Sequence, residues 1–260
     1  MSSEGGERRL LSHCYVCEEA ERVVKLKRGR TLRAVDPSEV SENIYIVGSS
    51  EITDSRDCAV YLIDLGELIL VDAGAGPSAP QIVRNIERVG RDPFKLSTVI
   101  ITHCHVDHSG GAHLFQKRFG AKLVMHEQDA KAVQDGDATM TAAQCYGLQF
   151  EPTPVDVKLS GPEQALTFGS DSIVCLHTPG HTPGSISLYL DRGGKRFLFG
   201  QDIHGPFHPD FGSDLVAWRR SMQRLLDLEA DVLCEGHFGV YEPKERVAAY
   251  IKHYLETYSE

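Results

Sequence analysis

Short apolar runs recur along the chain from residue 43 onward, bounded by glycine, proline or charged residues. Such runs of four to six apolar or β-branched residues are typical of buried β-strands. The pattern predicts strands over 43–47, 59–63, 68–71, 97–101, 122–125, 172–177, 185–190, 196–199 and 232–234. Residues 191–194 contain a glycine pair between two of these strands, which predicts a hairpin turn.

Apolar residues at helical spacing mark other segments. Ile82, Val83 and Ile86 share one helix face, and Trp218 and Met222 share another. The spacing predicts helices over 81–89, 112–119, 215–228 and 247–258. Segment 127–150 is helical in composition but poorly patterned, and we interpret it as a flap. Strands followed by helices, twice over, indicate an α/β fold.

Residues 1–42 differ from the rest because they carry many charges and no strong period. We expect an N-terminal extension there that drapes over the core or is partly mobile. A chain of 260 residues with 41% hydrophobic residues can bury a large core as one α/β domain. We therefore expect a single catalytic domain over 43–260.

The formal net charge of -10 argues against a nucleic-acid partner, because phosphate binding depends on clustered Lys and Arg. The apolar runs are far shorter than the roughly 20 residues of a membrane span. The polar, acidic start of the chain has no signal-peptide pattern. We expect a cytoplasmic protein with no membrane partner and a small-molecule substrate. The length of the extension and of segment 127–155 is compatible with a homodimer.

The seven cysteines are scattered and odd in number, which favours reduced thiols over a disulfide framework. Cys14 and Cys17 form a single CxxC pair with His13 before it. A pair without a second CxxC or partnering histidines is weak evidence for zinc, so we interpret it as structural.

The strongest chemical signal is a cluster of three imidazoles and a carboxylate within six residues, directly after the predicted strand 97–101. His103 and His105 lie two apart in an extended segment and point the same way. Asp107 and His108 lie where the chain turns and can reach a second position nearby. Imidazole and carboxylate together suit transition ions, so this spacing predicts a site for two metal ions.

This cluster, His-x-His-x-Asp-His, resembles the signature of the metallo-β-lactamase superfamily, and the remaining motifs of that superfamily follow in order. Each lies at a predicted strand end or in a glycine turn. The TPGHTPGS segment is shared with glyoxalase II-like members of the superfamily. The motif residues outside the cluster are Asp72 in 70–74, His181 in 178–185, Asp202 after 197–200 and His237 in 235–238.

The resemblance implies an αββα sandwich, with two mixed sheets packed face to face and helices outside. It implies two divalent ions, with zinc expected and iron or manganese compatible with the same donors. Asp72 is expected to hold the metal loop through hydrogen bonds rather than by coordination. The implied ligands are His103, His105 and His181 for one ion, Asp107, His108 and His237 for the other, and Asp202 between them.

The implied activity is hydrolysis of a small thioester, lactone or other carboxylic ester by a metal-bridging hydroxide. Asp107 can also orient the hydroxide. His204 is a candidate proton donor or carbonyl polariser, and loop 204–214, with His208, is a candidate substrate wall. Arg56 could pair with an anionic substrate, although an exposed structural role is an equal alternative.

Several departures keep the subfamily open. The chain has one predicted helix after His237, where glyoxalase II has a helical domain, and it has His204 where lactonases carry a tyrosine. Many β-lactamases of the superfamily lack a bridging carboxylate, so Asp202 argues against β-lactamase activity. The alternative is an iron-dependent oxidoreductase resembling the persulfide dioxygenases, although the basic and cysteine-containing segment typical of those enzymes is missing after Asp202.

Overall fold

The computed structural model describes residues 30–32 and 36–259, which form two sheets of seven strands each. One sheet has the order β2-β3-β4-β5-β6-β7-β8, with β2 (Ser38–Ser41), β3 (Ile44–Gly48), β4 (Val60–Asp64), β5 (Leu68–Val71), β6 (Leu96–Ile100), β7 (Lys122–His126) and β8 (Val157–Leu159). The other has the order β1-β14-β13-β12-β11-β10-β9, with β1 (Arg30–Leu32), β9 (Glu163–Phe168), β10 (Asp171–His177), β11 (Ile186–Arg192), β12 (Lys195–Gln201), β13 (Val232–Glu235) and β14 (Val240–Glu242).

Helices cover the outer face of each sheet. The first sheet carries α1 (Ala79–Arg88), α3 (Ala112–Phe119) and α4 (Glu127–Asp135), and the second carries α6 (Leu215–Asp227) and α7 (Lys244–Thr257). Two short helices, α2 (Val106–Ser109) and α5 (Ala143–Tyr146), lie in the connections. The predicted αββα sandwich is confirmed.

The layers follow from the two-residue period of the strands. In β4, Tyr61 and Ile63 join the cluster between the two sheets, whereas Val60 and Leu62 pack with the helices outside. Buried on both faces, the central strands are nearly continuous apolar runs. This is why they could be recognised in the sequence.

Strand direction brings the predicted site to one edge of the sandwich. Strands β5, β6 and β7 run parallel, as do β12 and β13. The carboxyl ends of both parallel sets lie at the same edge, since His103 and Asp202, which follow strands of different sheets, are 3.8 Å apart, and open α/β sheets usually place their sites at such ends. Asp72 follows β5, His103 follows β6, and Asp202 follows β12.

Most of the predicted elements are present with shifts of one or two residues, and helix 112–119 has the predicted bounds. The hairpin turn is Gly193-Gly194, both with positive φ, between paired Arg192 and Lys195. The flap segment contains α4 and α5. The strands missed by the prediction are short or mostly exposed, namely β1, β2, β8, β9 and β14.

Part of the predicted N-terminal extension contributes to both sheets. Strand β1 pairs with β14, and β2 pairs with β3. The boundary at residue 42 stays a prediction. His13, Cys14 and Cys17 lie outside the described residues. Among the helices of the described part of the chain, none is long and apolar enough to cross a membrane.

Candidate metal centre

The seven predicted ligands converge at the edge where the parallel strands end. Four come from the segment after β6, which continues into α2, and the others come from the loops after β10, β12 and β13. All but His237 have side chains that are nearly inaccessible to solvent. The seven predicted ligands are His103, His105, Asp107, His108, His181, Asp202 and His237.

One group consists of three histidines and one carboxylate, with a possible ligand atom from each within 4.8 Å of the others. His181 Nε2 lies 2.9 Å from His105 Nδ1 and 3.4 Å from Asp202 Oδ2. His103 Nε2 lies 3.8 Å from the same Asp202 oxygen. The predicted first ligand set is therefore gathered around one face of Asp202.

The second group uses the other carboxylate oxygen of Asp202. His108 Nε2 and His237 Nε2 each lie 3.2 Å from Asp202 Oδ1 and 3.3 Å from one another. Each also lies 3.5 Å from Asp107 Oδ2. Asp202 thus presents one oxygen to each group.

Hydrogen bonds on the outer side of the histidine rings show which ring nitrogen carries the proton. The nitrogen that faces inward therefore carries the lone pair. His181 Nδ1 lies 2.8 Å from the carbonyl oxygen of Pro206, which can only accept, so Nδ1 carries the proton. His108 Nδ1 donates in the same way to Asp72 Oδ2 at 2.8 Å. In the neutral rings both Nε2 atoms are acceptors facing other acceptors, and a bound cation would satisfy them.

Buried polar atoms support the same conclusion. His103 Nε2, His105 Nε2 and Asp202 Oδ1 are buried without a hydrogen-bond partner among residues 36–259. Unpartnered buried polar atoms are costly in a folded protein. Their concentration around Asp202, with imidazole and carboxylate chemistry, fits divalent transition ions.

Asp72 occupies the position predicted for a residue that holds the metal loop. It is fully buried, and its carboxylate accepts hydrogen bonds from the Thr102 backbone N–H at 2.8 Å, from His108 and from Gln201. Both Asp72 and Gln201 have positive φ, 63° and 48°, a strained conformation for these residues. Asp72 therefore fixes the ring of His108 from outside the two groups.

Asp129 of α4 is a second buried carboxylate that supports the site, and the sequence analysis missed it. Its Oδ2 accepts from the Cys104 N–H at 2.9 Å and the Thr182 hydroxyl at 2.7 Å, and its Oδ1 accepts from the Gly184 N–H at 2.7 Å. A Cβ on Gly184 would lie 2.5 Å from the Asp129 backbone nitrogen, so this approach requires glycine. Asp129 thus ties the loop of His103 and His105 to that of His181.

His204 lies beside the second group with its ring held from behind. The side chain is buried, and Nδ1 lies 3.0 Å from Glu235 Oε1. The other Glu235 oxygen accepts from the backbone N–H groups of His237 and Phe238 at 2.6 and 2.7 Å. His204 is thus oriented at the site, while its role as proton donor or carbonyl polariser stays a prediction.

The predicted substrate wall lies against the first group. The Phe211 ring packs edge-on against His105, with centroids 4.5 Å apart, and Phe207 lies 6.2 Å from His181. His208 is 56% exposed and bonds within its own turn. Arg56 is paired with Asp54 through two hydrogen bonds of 2.8 and 2.9 Å, so its charge is already partnered.

Tyr146 reaches the centre from the flap, and the sequence analysis did not identify it. It ends α5, and its half-buried side chain lies near the carboxylates of Asp107 and Asp202. The Val106 N–H donates to the Thr141 carbonyl at 2.7 Å, so the flap is fastened to the metal loop itself. Burial and the charges of Asp107 and Asp202 raise the pKa of Tyr146, which keeps the phenol neutral.

The two histidine groups differ in proton affinity. Burial lowers the pKa of His103 and His105 well below the ordinary value, and that of His181 to about 4. Burial also disfavours the charged form of His237, but the carboxylates of Asp202 and Asp107 outweigh it and raise its pKa to about 9. At neutral pH a proton therefore competes with a metal at the second group and not at the first.

We expect the second ion to be lost before the first as the pH falls. Below about pH 9 an ion must displace the proton of His237, whereas His181, with its pKa of about 4, offers a free lone pair down to far lower pH. Metal content after dialysis between pH 9 and pH 5.5 should fall from two ions to one. Simultaneous loss of both ions would contradict this order.

Fold and site together define a protein with an αββα sandwich and, at the sheet edge, a His/Asp cluster that can bind divalent metal ions. Residues 53–237 match the family model of the metallo-beta-lactamase superfamily. This chain belongs to that superfamily. The resemblance predicted from the sequence motifs is confirmed.

Curated relatives match the chain in part. A probable metallo-hydrolase of Methanocaldococcus jannaschii is 31% identical over 50% of this chain and 61% of its own. A beta-lactamase-like protein 2 homolog of Drosophila melanogaster is 29% identical over 74% of this chain and 63% of its own. The chain thus spans a little over three fifths of these relatives. Glyoxylase B2 of Dictyostelium discoideum is 29% identical over 57% of this chain and 51% of its own.

Solved structures share the fold. A metallo-beta-lactamase of Cronobacter sakazakii, a mutant of its HARLDQ motif, superimposes with a TM-score of 0.74 at 23% identity, covering 87% of this chain and 96% of its own. A subclass B3 metallo-beta-lactamase of Bradyrhizobium japonicum gives 0.72 at 24% identity, covering 86% and 92%. At this identity the likeness concerns the fold alone.

Proposed function

We propose that this chain is a dinuclear metal-dependent hydrolase that cleaves a small thioester, lactone or other carboxylic ester. The observation that carries the proposal is the placement of Asp202, which presents one oxygen to each of two groups of inward-facing histidine nitrogens. The relatives named as probable metallo-hydrolases and as glyoxylase B2 support the same class of reaction.

Two ions bound at this centre would supply a hydroxide near neutral pH by lowering the pKa of the water between them. Asp107 lies 3.5 Å from both His108 and His237, close enough to accept a hydrogen bond from that hydroxide and orient it. Phe211 and Phe207 form an apolar wall beside the first group, which favours an acyl group with an apolar portion.

Tyr146 is the proposed hydrogen-bond donor to the substrate carbonyl. A neutral phenol near Asp107 and Asp202 can donate its hydroxyl to the oxygen on which charge develops. The hydrogen bond is stronger in the transition state than in the ground state, so it increases kcat.

Tyr146→Phe is expected to lower kcat about 100-fold with little change in KM, because it removes one donor and keeps the ring. Metal content should stay at the wild-type value, since the phenol is not one of the proposed ligands. Tyr189→Phe on β11 is the matched control and should behave as wild type. An unchanged kcat for Tyr146→Phe would remove the tyrosine from the mechanism.

The decisive experiment measures metal content and hydrolysis together. Protein purified without oxygen or added metal is analysed by elemental mass spectrometry and then assayed on a panel of thioesters, lactones and aryl esters. About two zinc ions, or mixed zinc and iron, with turnover that a chelator abolishes and metal restores, would support the hydrolase. One iron per chain, no hydrolysis and oxygen-dependent sulfur oxidation would instead favour the iron oxidoreductase.

A further inference from the structure

His204 has the construction of a metal-binding histidine. Imidazoles that bind metals usually donate their outer N–H to a carboxylate or a backbone carbonyl, which fixes the tautomer and the ring orientation. His108 donates to Asp72 at 2.8 Å, and His181 donates to the Pro206 carbonyl at 2.8 Å. His204 and Glu235, at 3.0 Å, repeat this arrangement.

The surroundings of Glu235 make it the acceptor in that contact. Its Oε2 already accepts two backbone N–H groups, from His237 and Phe238, and the residue is fully buried. A carboxylate receiving these donors takes the His204 proton on Nδ1, so the neutral ring carries its lone pair on Nε2. A lone pair is what a metal ligand needs, and the neutral ring in this tautomer has no proton on Nε2 to donate.

The ring also lies where a ligand must lie. Possible ligand atoms of Asp202, His204 and His237 lie within 4.8 Å of one another. The His204 and His237 rings are 5.1 Å apart between centroids. Other histidines are built differently: His208 is exposed, and its Nδ1 accepts the N–H of Asp210 within one turn.

We propose that His204 is a further ligand of the second ion, beside Asp107, His108, His237 and the shared Asp202. The inference rests on the proposed dinuclear centre. It replaces the predicted acid role of His204 with coordination, and it assigns Glu235 as the positioning residue behind that ligand. Each ion then has three imidazoles, and the second also has Asp107, so the second ion has the higher coordination number.

The test measures metal binding without any substrate. Apo wild type, His204→Ala and the control His208→Ala are titrated with Zn²⁺ against a chromophoric chelator and with Co²⁺ by visible absorption. His204→Ala should bind the second ion at least tenfold more weakly, with altered visible bands for the second Co²⁺. The first ion should be unaffected, and His208→Ala should match wild type.

Further measurements distinguish the loss of a ligand from misfolding of the variant. Circular dichroism of apo His204→Ala should equal that of wild type, and added imidazole should restore its second Co²⁺ spectrum. His204→Gln, whose amide can still donate to Glu235, should also weaken the second ion. Wild-type affinity and spectrum in both variants would overturn the ligand role while leaving the dinuclear centre intact. A wild type that binds only one ion would overturn the dinuclear centre as well.

Discussion

Asp202→Asn is expected to abolish most of the hydrolytic activity and to release at least one metal ion. The carboxylate serves both groups, with His108 and His237 at 3.2 Å from Oδ1 and His181 at 3.4 Å from Oδ2. Asparagine has a similar size but carries no charge, and its NH₂ group has no lone pair for a metal ion. Removing the hydrogen-bond partner of a metal ligand already lowers metal affinity or activity about 10–100-fold. Removing the shared carboxylate should therefore lower activity more than about 100-fold.

The measurement is metal content by elemental mass spectrometry together with kcat/KM on the best substrate of the ester panel. Asp210→Asn is the control, since Asp210 is a carboxylate of the same loop with its side chain 59% exposed. It should retain both ions. An Asp202→Asn protein with two ions and activity near wild type would refute the shared-carboxylate geometry.

Asp129→Asn is expected to weaken both the fold and the metal centre without altering any predicted ligand. Asparagine keeps only one of the two acceptor oxygens. Depending on its orientation, either the Gly184 N–H loses its acceptor, or the Cys104 N–H and the Thr182 hydroxyl lose theirs. Each unsatisfied buried donor costs about 1–3 kcal/mol of unfolding free energy. Because these donors belong to the loops of His103, His105 and His181, the affinity for the first ion should also fall about 10–100-fold.

Urea denaturation of the metal-free protein gives the stability change, and chelator competition gives the metal affinity. Asp135→Asn, at the exposed end of the same helix and paired with Lys131, is the control and should change neither quantity. A loss of stability with wild-type metal affinity would mean that Asp129 braces the fold but does not position the ligands.

The sequence by itself determined the central strands, the main helices and the cluster of His103, His105, Asp107 and His108. The resemblance to the superfamily implied the other three candidate ligands. Central strands such as β4 and β5 are buried on both faces, so their apolar runs are local and visible. His103, His105, Asp107 and His108 lie within six residues, and the other motif residues sit at strand ends or in glycine turns that the chain itself marks. Local spacing reveals the strands and the four-residue cluster, whereas the other ligands were implied by the resemblance.

The tertiary structure decided which groups stand behind and above the ligands. Asp129 meets Thr182 and Gly184 more than 50 residues away, and Glu235 meets His204 across 31. Tyr146 comes from a segment whose pattern predicts only a flap. Such partners are chosen by the packing of loops between two sheets, and a buried carboxylate or phenol has no local period that would reveal it. The period of apolar residues in the sequence shows which side chains are buried. A hydrogen bond between residues of distant loops forms only when the tertiary structure brings those loops together.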